Sequence, residues 1–254
     1  MRFPCATAFF AAAMLGLYFY STGGLLYPTA KAVGAFSFWG GNFMALFYHL
    51  LFHVGWLHLI GNLVPFVVFG WILETRLPSL HVAAMFLCAG VLGGLSFAVL
   101  NPGYALIGAS AGIAGVMAAA VVVRPKLGIP ALIFVPLLVF MVILPVASSA
   151  SSSVISSLDT KKTGLEQQVS ALLAENKTKE AAVANESLIL VSSQLGQTVA
   201  GKALEEKTPT DAWAHLVGAI AGTLYLMCFC RRELDDGISE AEDSWLWLRN
   251  SIGL

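Results

Sequence analysis

Five stretches without a charged residue limit what this chain can fold into: residues 3–20, 32–73, 77–123, 128–147 and 212–230. A hydrocarbon core about 30 Å thick is crossed by about 20 apolar helical residues, and a helix satisfies its own backbone N–H and C=O groups where no water can. The stretch from 32 to 73 is too long for one helix. It reads as a re-entrant or interfacial first half followed by a span from Trp56 to Leu73. The stretch from 77 to 123 contains Asn101-Pro102-Gly103, which is turn chemistry and divides it into two spans. Six membrane spans are expected, and the fold class is an all-α membrane bundle. Composition agrees, with 57% hydrophobic and 11% charged residues against about a quarter charged in soluble domains. The formal net charge of −1 supplies no basic field, so nucleic acid is not expected as a partner.

Lys and Arg set the expected orientation. With the N-terminus inside, Arg2, Arg76, Arg124, Lys126, Arg231 and Arg232 fall in cytoplasmic flanks, and Lys31 alone falls in a short outer loop. The rival is a cleaved signal peptide at residues 2–20, with Ala30-Lys31-Ala32 as a distant cleavage site. Cys5, Cys88, Cys228 and Cys230 lie in or beside apolar runs, which argues against a disulfide framework. Lipidation of Cys228 and Cys230 is the lesser alternative to packing.

The expected organisation is a membrane part at 1–147, an outer, helical insertion at 148–210, a last span at 211–232 and a cytoplasmic tail at 233–254. Within the insertion, Ser148–Ser157 reads as a serine-rich linker. Thr163 with Glu166 matches a capping box, and the composition up to Lys207 suits a helical hairpin. Pro209 stops any helix there, and Thr210 or Asp211 is available to cap the last span.

Polar groups at membrane depth are costly and are functional candidates by default. His58 and Asn62 are four apart, hence on one helix face. His53 precedes that helix, Ser110 opens the fourth span, and His215 lies one turn inside the sixth. On the expected topology three helices bring a hydroxyl, an imidazole and two side-chain donors to one depth near the outer face. Taken singly, each has a packing reading, as His49 and His81 do near their span ends. Gly108-Ala109-Ser110-Ala111-Gly112 also fits the nucleophile elbow of soluble esterases, with Asp159 or Asp211 as the acid. That motif needs a preceding strand, which charge-free runs of this length do not offer. A small transporter would place paired charges at mid-membrane, and the spans have none.

The ordered motifs resemble those of the rhomboid intramembrane serine proteases. His53-Val-Gly-Trp-Leu-His58-Leu-Ile-Gly-Asn62 resembles the family's histidine and asparagine motif. Glu74-Thr75-Arg76 resembles the acidic and basic pair after it, Gly108-Ala109-Ser110 the Gly-x-Ser motif, and Ala214-His215 with Gly218 and Gly222 the last helix. The resemblance covers about residues 1–147 and 211–232. It implies a six-helix rhomboid-like bundle in which Ser110 is the nucleophile and His215 its base. His58, Asn62 and the Ser110 N–H would hold the oxyanion. His53, Gly108, Gly112, Gly218 and Gly222 would support the site, the glycines by letting the fourth and sixth spans approach. It also implies transmembrane protein substrates, a bilayer setting, and no cofactor or metal. The alternative within the family is a catalytically silent client-binding protein. The chain departs from the family pattern at Ala111, where Gly commonly follows the Ser. It departs again at Ala114, where an aromatic ring often stacks on the catalytic His, and at Met44 and Ala45, where a Trp-Arg pair is usual. The insertion is expected to dock clients or cover the site entrance, or else to be a tolerated surface addition.

Overall fold

The apolar stretches fold as helices in the computed structural model, which describes residues 3–38, 43–207 and 211–252. In chain order these are α1 (Cys5–Thr22), the short α2 (Ala30–Phe36) and α3 (Ala45–Tyr48), α4 (Trp56–Glu74), α5 (Ser79–Leu100) and α6 (Ser110–Val123). They are followed by α7 (Pro125–Leu138), α8 (Leu144–Ala174), α9 (Thr178–Lys207), α10 (Ala212–Phe229) and α11 (Arg231–Ile252). The sole β feature among the described residues is a bridge between Phe38 and Leu106.

Among the described residues, five helical stretches are long and apolar enough to cross a membrane: α1, α4, α5, the continuous rod Pro125–Ala174 and α10. The chain is therefore an integral, multi-pass membrane protein. The shorter α6 lies among α4, α5, α7 and α10, so most of its surface meets protein. The break expected at Asn101-Pro102-Gly103 is present: Asn101 caps α5, and Gly103 has a φ of 90°. The described residues of the stretch before Trp56 include the two short helices α2 and α3. All four cysteines are free.

The core runs through α1, α4, α5 and α6, with Phe10, Phe66, Phe69 and Phe86 buried against one another's helices. Glu74 is buried at the end of α4 and ties three helices together. Its Oε1 accepts from the Thr7 N–H at 2.8 Å and the Thr7 hydroxyl at 2.7 Å, and its Oε2 accepts from Ser79. At the same end Arg76 pairs with Glu240 of α11 at 2.6 Å, and Arg124 lies 4.0 Å from the same carboxylate. The segment expected as a tail is thus helical from Arg231 and is held to the bundle by an ion pair.

Two expectations for the insertion are corrected. Ser148–Ser157 is not a linker, because the helix that begins at Pro125 continues through it, by way of a π-helical turn at Val139–Ile143, as far as Ala174. The serine hydroxyls remove their own competition with the helix by bonding back to carbonyls of the preceding turn: Ser149 to Val146 at 2.8 Å, Ser152 to Ser148 at 3.2 Å and Ser157 to Val154 at 2.8 Å. Thr163 is no N-cap either. It sits inside α8, with its hydroxyl donating to the Asp159 carbonyl at 3.1 Å. The expected hairpin is formed by α8 and α9. It turns at Asn176, whose φ of 58° ends α8 in the left-handed region with Lys177 N–H returning to the Leu172 carbonyl. Of the last span's proposed caps, Pro209 and Thr210 lie outside the described residues, as does Arg2. Asp211 does cap α10, its Oδ1 accepting from the Trp213 N–H at 2.9 Å.

Candidate active site

α4, α6 and α10 all begin at the end of the bundle opposite the Arg76–Glu240 pair, and each places a polar side chain within its first two turns. His58 and Asn62 come from α4, Ser110 from α6 and His215 from α10. All four line one cavity of about 990 Å³. Apolar residues of α7 and of the π-helical turn that follows it, including Leu132, Pro136 and Phe140, form part of its wall.

Ser110 is the first residue of α6, so its N–H is one of those that no intrahelical carbonyl can accept. The chain enters that helix through Gly108, whose φ of 109° disfavours any side chain. A Cβ there would also lie 2.6 Å from Nε2 of His58. The glycine therefore lets the imidazole of α4 come up beside the Ser110 turn, and the Gly108 N–H is fixed on the His49 carbonyl at 2.9 Å.

On α4, the Asn62 amide donates back to the His58 carbonyl at 3.0 Å, which orients the side chain and leaves its second N–H free of that bond. Nδ1 of His58 is buried without a hydrogen-bond partner among the described residues. His53 is fully buried just before α4, and its ring packs edge-on against His58 with centroids 5.1 Å apart. Burial pushes the His53 imidazole well below its ordinary pKa, so it acts as a neutral wall. His49 is held down to about 4 for the same reason and bonds the Ala45 carbonyl at 3.2 Å; it too lines the cavity, and its Nε2 has no hydrogen-bond partner among the described residues. His81 meets the Tyr225 hydroxyl at 3.1 Å, away from the cavity.

The α6–α10 contact sets where His215 stands relative to Ser110. A Cβ at Gly218 would strike the Ala111 carbonyl, and one at Gly222 would strike Gly115. The two backbones thus touch directly, an approach that only small residues permit. Gly115 supplies the α6 side of this contact, where Gly112 was expected. Gly112 instead faces Phe86 of α5, and Gly108 faces His58. Asp211 also lines the cavity, but its carboxylate is occupied as the α10 cap and by the Asn101 amide at 3.2 Å. This suits a helix cap rather than a triad acid.

One cavity residue was not anticipated. Glu205, near the end of α9, is half-buried at the cavity, and its Oε1 accepts the His58 N–H at 2.7 Å. Burial holds this carboxyl above its ordinary pKa, against the opposing pull of that hydrogen bond. A sequence signal for such a partner did exist. α4 starts after Gly55, which has no side chain to cap it, so its first N–H groups need acceptors from elsewhere.

A polytopic helical protein that brings a few polar side chains from separate helix starts into one mostly apolar cavity is the class these observations define. A family model for the rhomboid domain matches residues 40–232, and the chain belongs to the rhomboid family. No curated protein and no solved structure matches it.

Proposed function

We propose that the chain is an intramembrane serine endopeptidase that cuts client proteins in or near a transmembrane segment. The observation that carries this reading is the single cavity shared by Ser110, His215, His58 and Asn62. Ser110 Oγ attacks the peptide carbonyl while His215 takes its proton. The developing oxyanion is held by His58, Asn62 and the Ser110 N–H. Collapse of the tetrahedral intermediate breaks the C–N bond, the His215 imidazolium protonates the leaving amine, and water then hydrolyses the acyl-serine with His215 again as base. Each neutral donor aimed at the oxyanion in a site of low dielectric contributes about 3 kcal/mol to the barrier reduction. With Asp211 committed as a cap, the pair works as a dyad, and slow turnover follows. Ala114 places no ring on His215, which leaves the base less firmly held.

The same reading gives the membrane topology: six spans with α6 as the fourth, both termini cytoplasmic, the α8–α9 hairpin outside, and residence in the cell membrane. Clients must present an unwound stretch, since a helix keeps its carbonyls in hydrogen bonds. The test is cleavage of a reconstituted transmembrane client by the wild-type protein and by Ser110→Ala and His215→Ala. Loss in both variants, with each still folded, supports the dyad. Unchanged cleavage in either variant removes the assignment. Binding of the client without cleavage by the wild-type protein makes it a silent client-binding member of the family.

A further inference from the structure

The α8–α9 hairpin holds the first turn of α4 from both of its legs. From α8, Ser151 is fully buried and accepts from the Trp56 indole N–H. From α9, Glu205 accepts from the His58 N–H at 2.7 Å. The base of α9 is fixed in place by Gln197, whose amide donates to the Tyr27 carbonyl at 2.7 Å, and by Gly201, which packs directly on Tyr27. Trp56 and His58 are the first and third residues of α4, and one turn beyond His58 stands Asn62.

Gly55 is the N-cap residue of α4 and makes no side-chain cap bond. A Cβ built there would lie 2.5 Å from the Glu205 carboxyl carbon and 2.7 Å from Oε2. The Glu205 carboxylate thus occupies the space in which an ordinary Ser, Asp or Asn cap would sit. It does the work of one, taking up an orphan N–H and placing negative charge at the positive end of the helix dipole. The chain supplies the cap in trans, from 147 residues away.

We propose that Glu205 is a positioning residue of the oxyanion site: it caps α4 from the insertion and so fixes His58 and Asn62 against the Ser110 turn. The proposal rests on the protease reading for its consequence in turnover, though not for the cap itself. It also changes what the insertion is for. A docking arm would affect client choice alone. A cap supplied by the hairpin makes turnover of every substrate depend on it, short soluble peptides included.

The test uses the full-length protein in detergent, with two readouts: steady-state hydrolysis of a short soluble peptide, and amide hydrogen exchange over residues 56–62. Glu205→Ala lowers kcat about tenfold, from the loss of one cap carried into transition-state geometry, with KM changed less than about twofold. Exchange at the first turn of α4 speeds up by a similar factor of about ten. Glu205→Gln, which keeps an acceptor oxygen, stays within about threefold of wild type in both readouts. Gly55→Ser alone impairs both, because its Cβ meets the carboxylate. In the Glu205→Ala background the same serine finds room, caps α4 in cis and restores kcat and exchange to within about threefold. Wild-type kcat and exchange in Glu205→Ala, or a double variant no better than Glu205→Ala, overturns the proposal. A wild-type protein that hydrolyses nothing overturns the protease reading, and exchange then decides the cap by itself.

Discussion

The α6–α10 contact and the α8–α9 hairpin reach the same cavity by opposite means. Between α6 and α10 the backbones meet at Gly218 on Ala111 and Gly222 on Gly115, with no long side chain to order and no tether to break. The hairpin is largely exposed and polar. It is joined to the first turn of α4 through Ser151 and Glu205, and to the loop before α2 through the bond from Gln197 to the Tyr27 carbonyl. Close packing gives a fixed distance that tolerates no added atom, whereas tethering gives a position that survives single losses in part. On the proposed reading the first suits Ser110 and His215, which need a constant geometry, and the second leaves the first turn of α4 open to adjustment through the hairpin.

Substitutions separate the two. The largest effect is expected at Gly218: Gly218→Val puts three carbons against the Ala111 carbonyl, costs on the order of 3 kcal/mol from overpacking, and abolishes peptide hydrolysis together with a clear fall in Tm. Next comes Gly108→Ala, which forces a side chain onto a left-handed φ and against His58. Hydrolysis falls about a hundredfold, as for loss of one oxyanion donor, while thermal unfolding shifts by only a few degrees. Glu205→Ala follows at about tenfold. At the far end of α4, Thr7→Val leaves the buried Glu74 carboxylate short of a donor and lowers stability by about 2 kcal/mol, with kcat close to wild type at temperatures where the protein is folded. The smallest is Gln197→Ala, which loosens α9 and changes peptide turnover less than threefold. Should Gln197→Ala equal Gly218→Val in effect, the contrast between packed and tethered regions is wrong.

The bundle was legible in the sequence wherever lipid imposes a simple rule. Charge-free runs mark α1, α4, α5 and α10, the Asn101-Pro102-Gly103 turn separates α5 from α6, and Asp211 announces the start of α10. His58, Asn62, Ser110 and His215 stand out because polar groups are rare within apolar runs of that length. Ser148–Ser157 was misread because serine suggests a linker by composition. In the structure its hydroxyls bond to the preceding turn and the apolar rod below it carries the helix onward. Gly112 and Gly115 could not be told apart by spacing, since which face of α6 meets α10 is a tertiary fact. Glu205 was hidden by distance along the chain, although the uncapped Gly55 before Trp56 asked for a partner.

On the proposed reading His215 activates Ser110 in the cavity that both residues line. Labelling the detergent-solubilised protein with a fluorophosphonate and mapping the modified residue by mass spectrometry tests it most directly. Modification at Ser110 in the wild type, lost in Ser110→Ala and reduced at least a hundredfold in rate in His215→Ala, is the predicted result. A folded wild-type protein that stays unlabelled, or one labelled at Ser110 equally fast without His215, contradicts it.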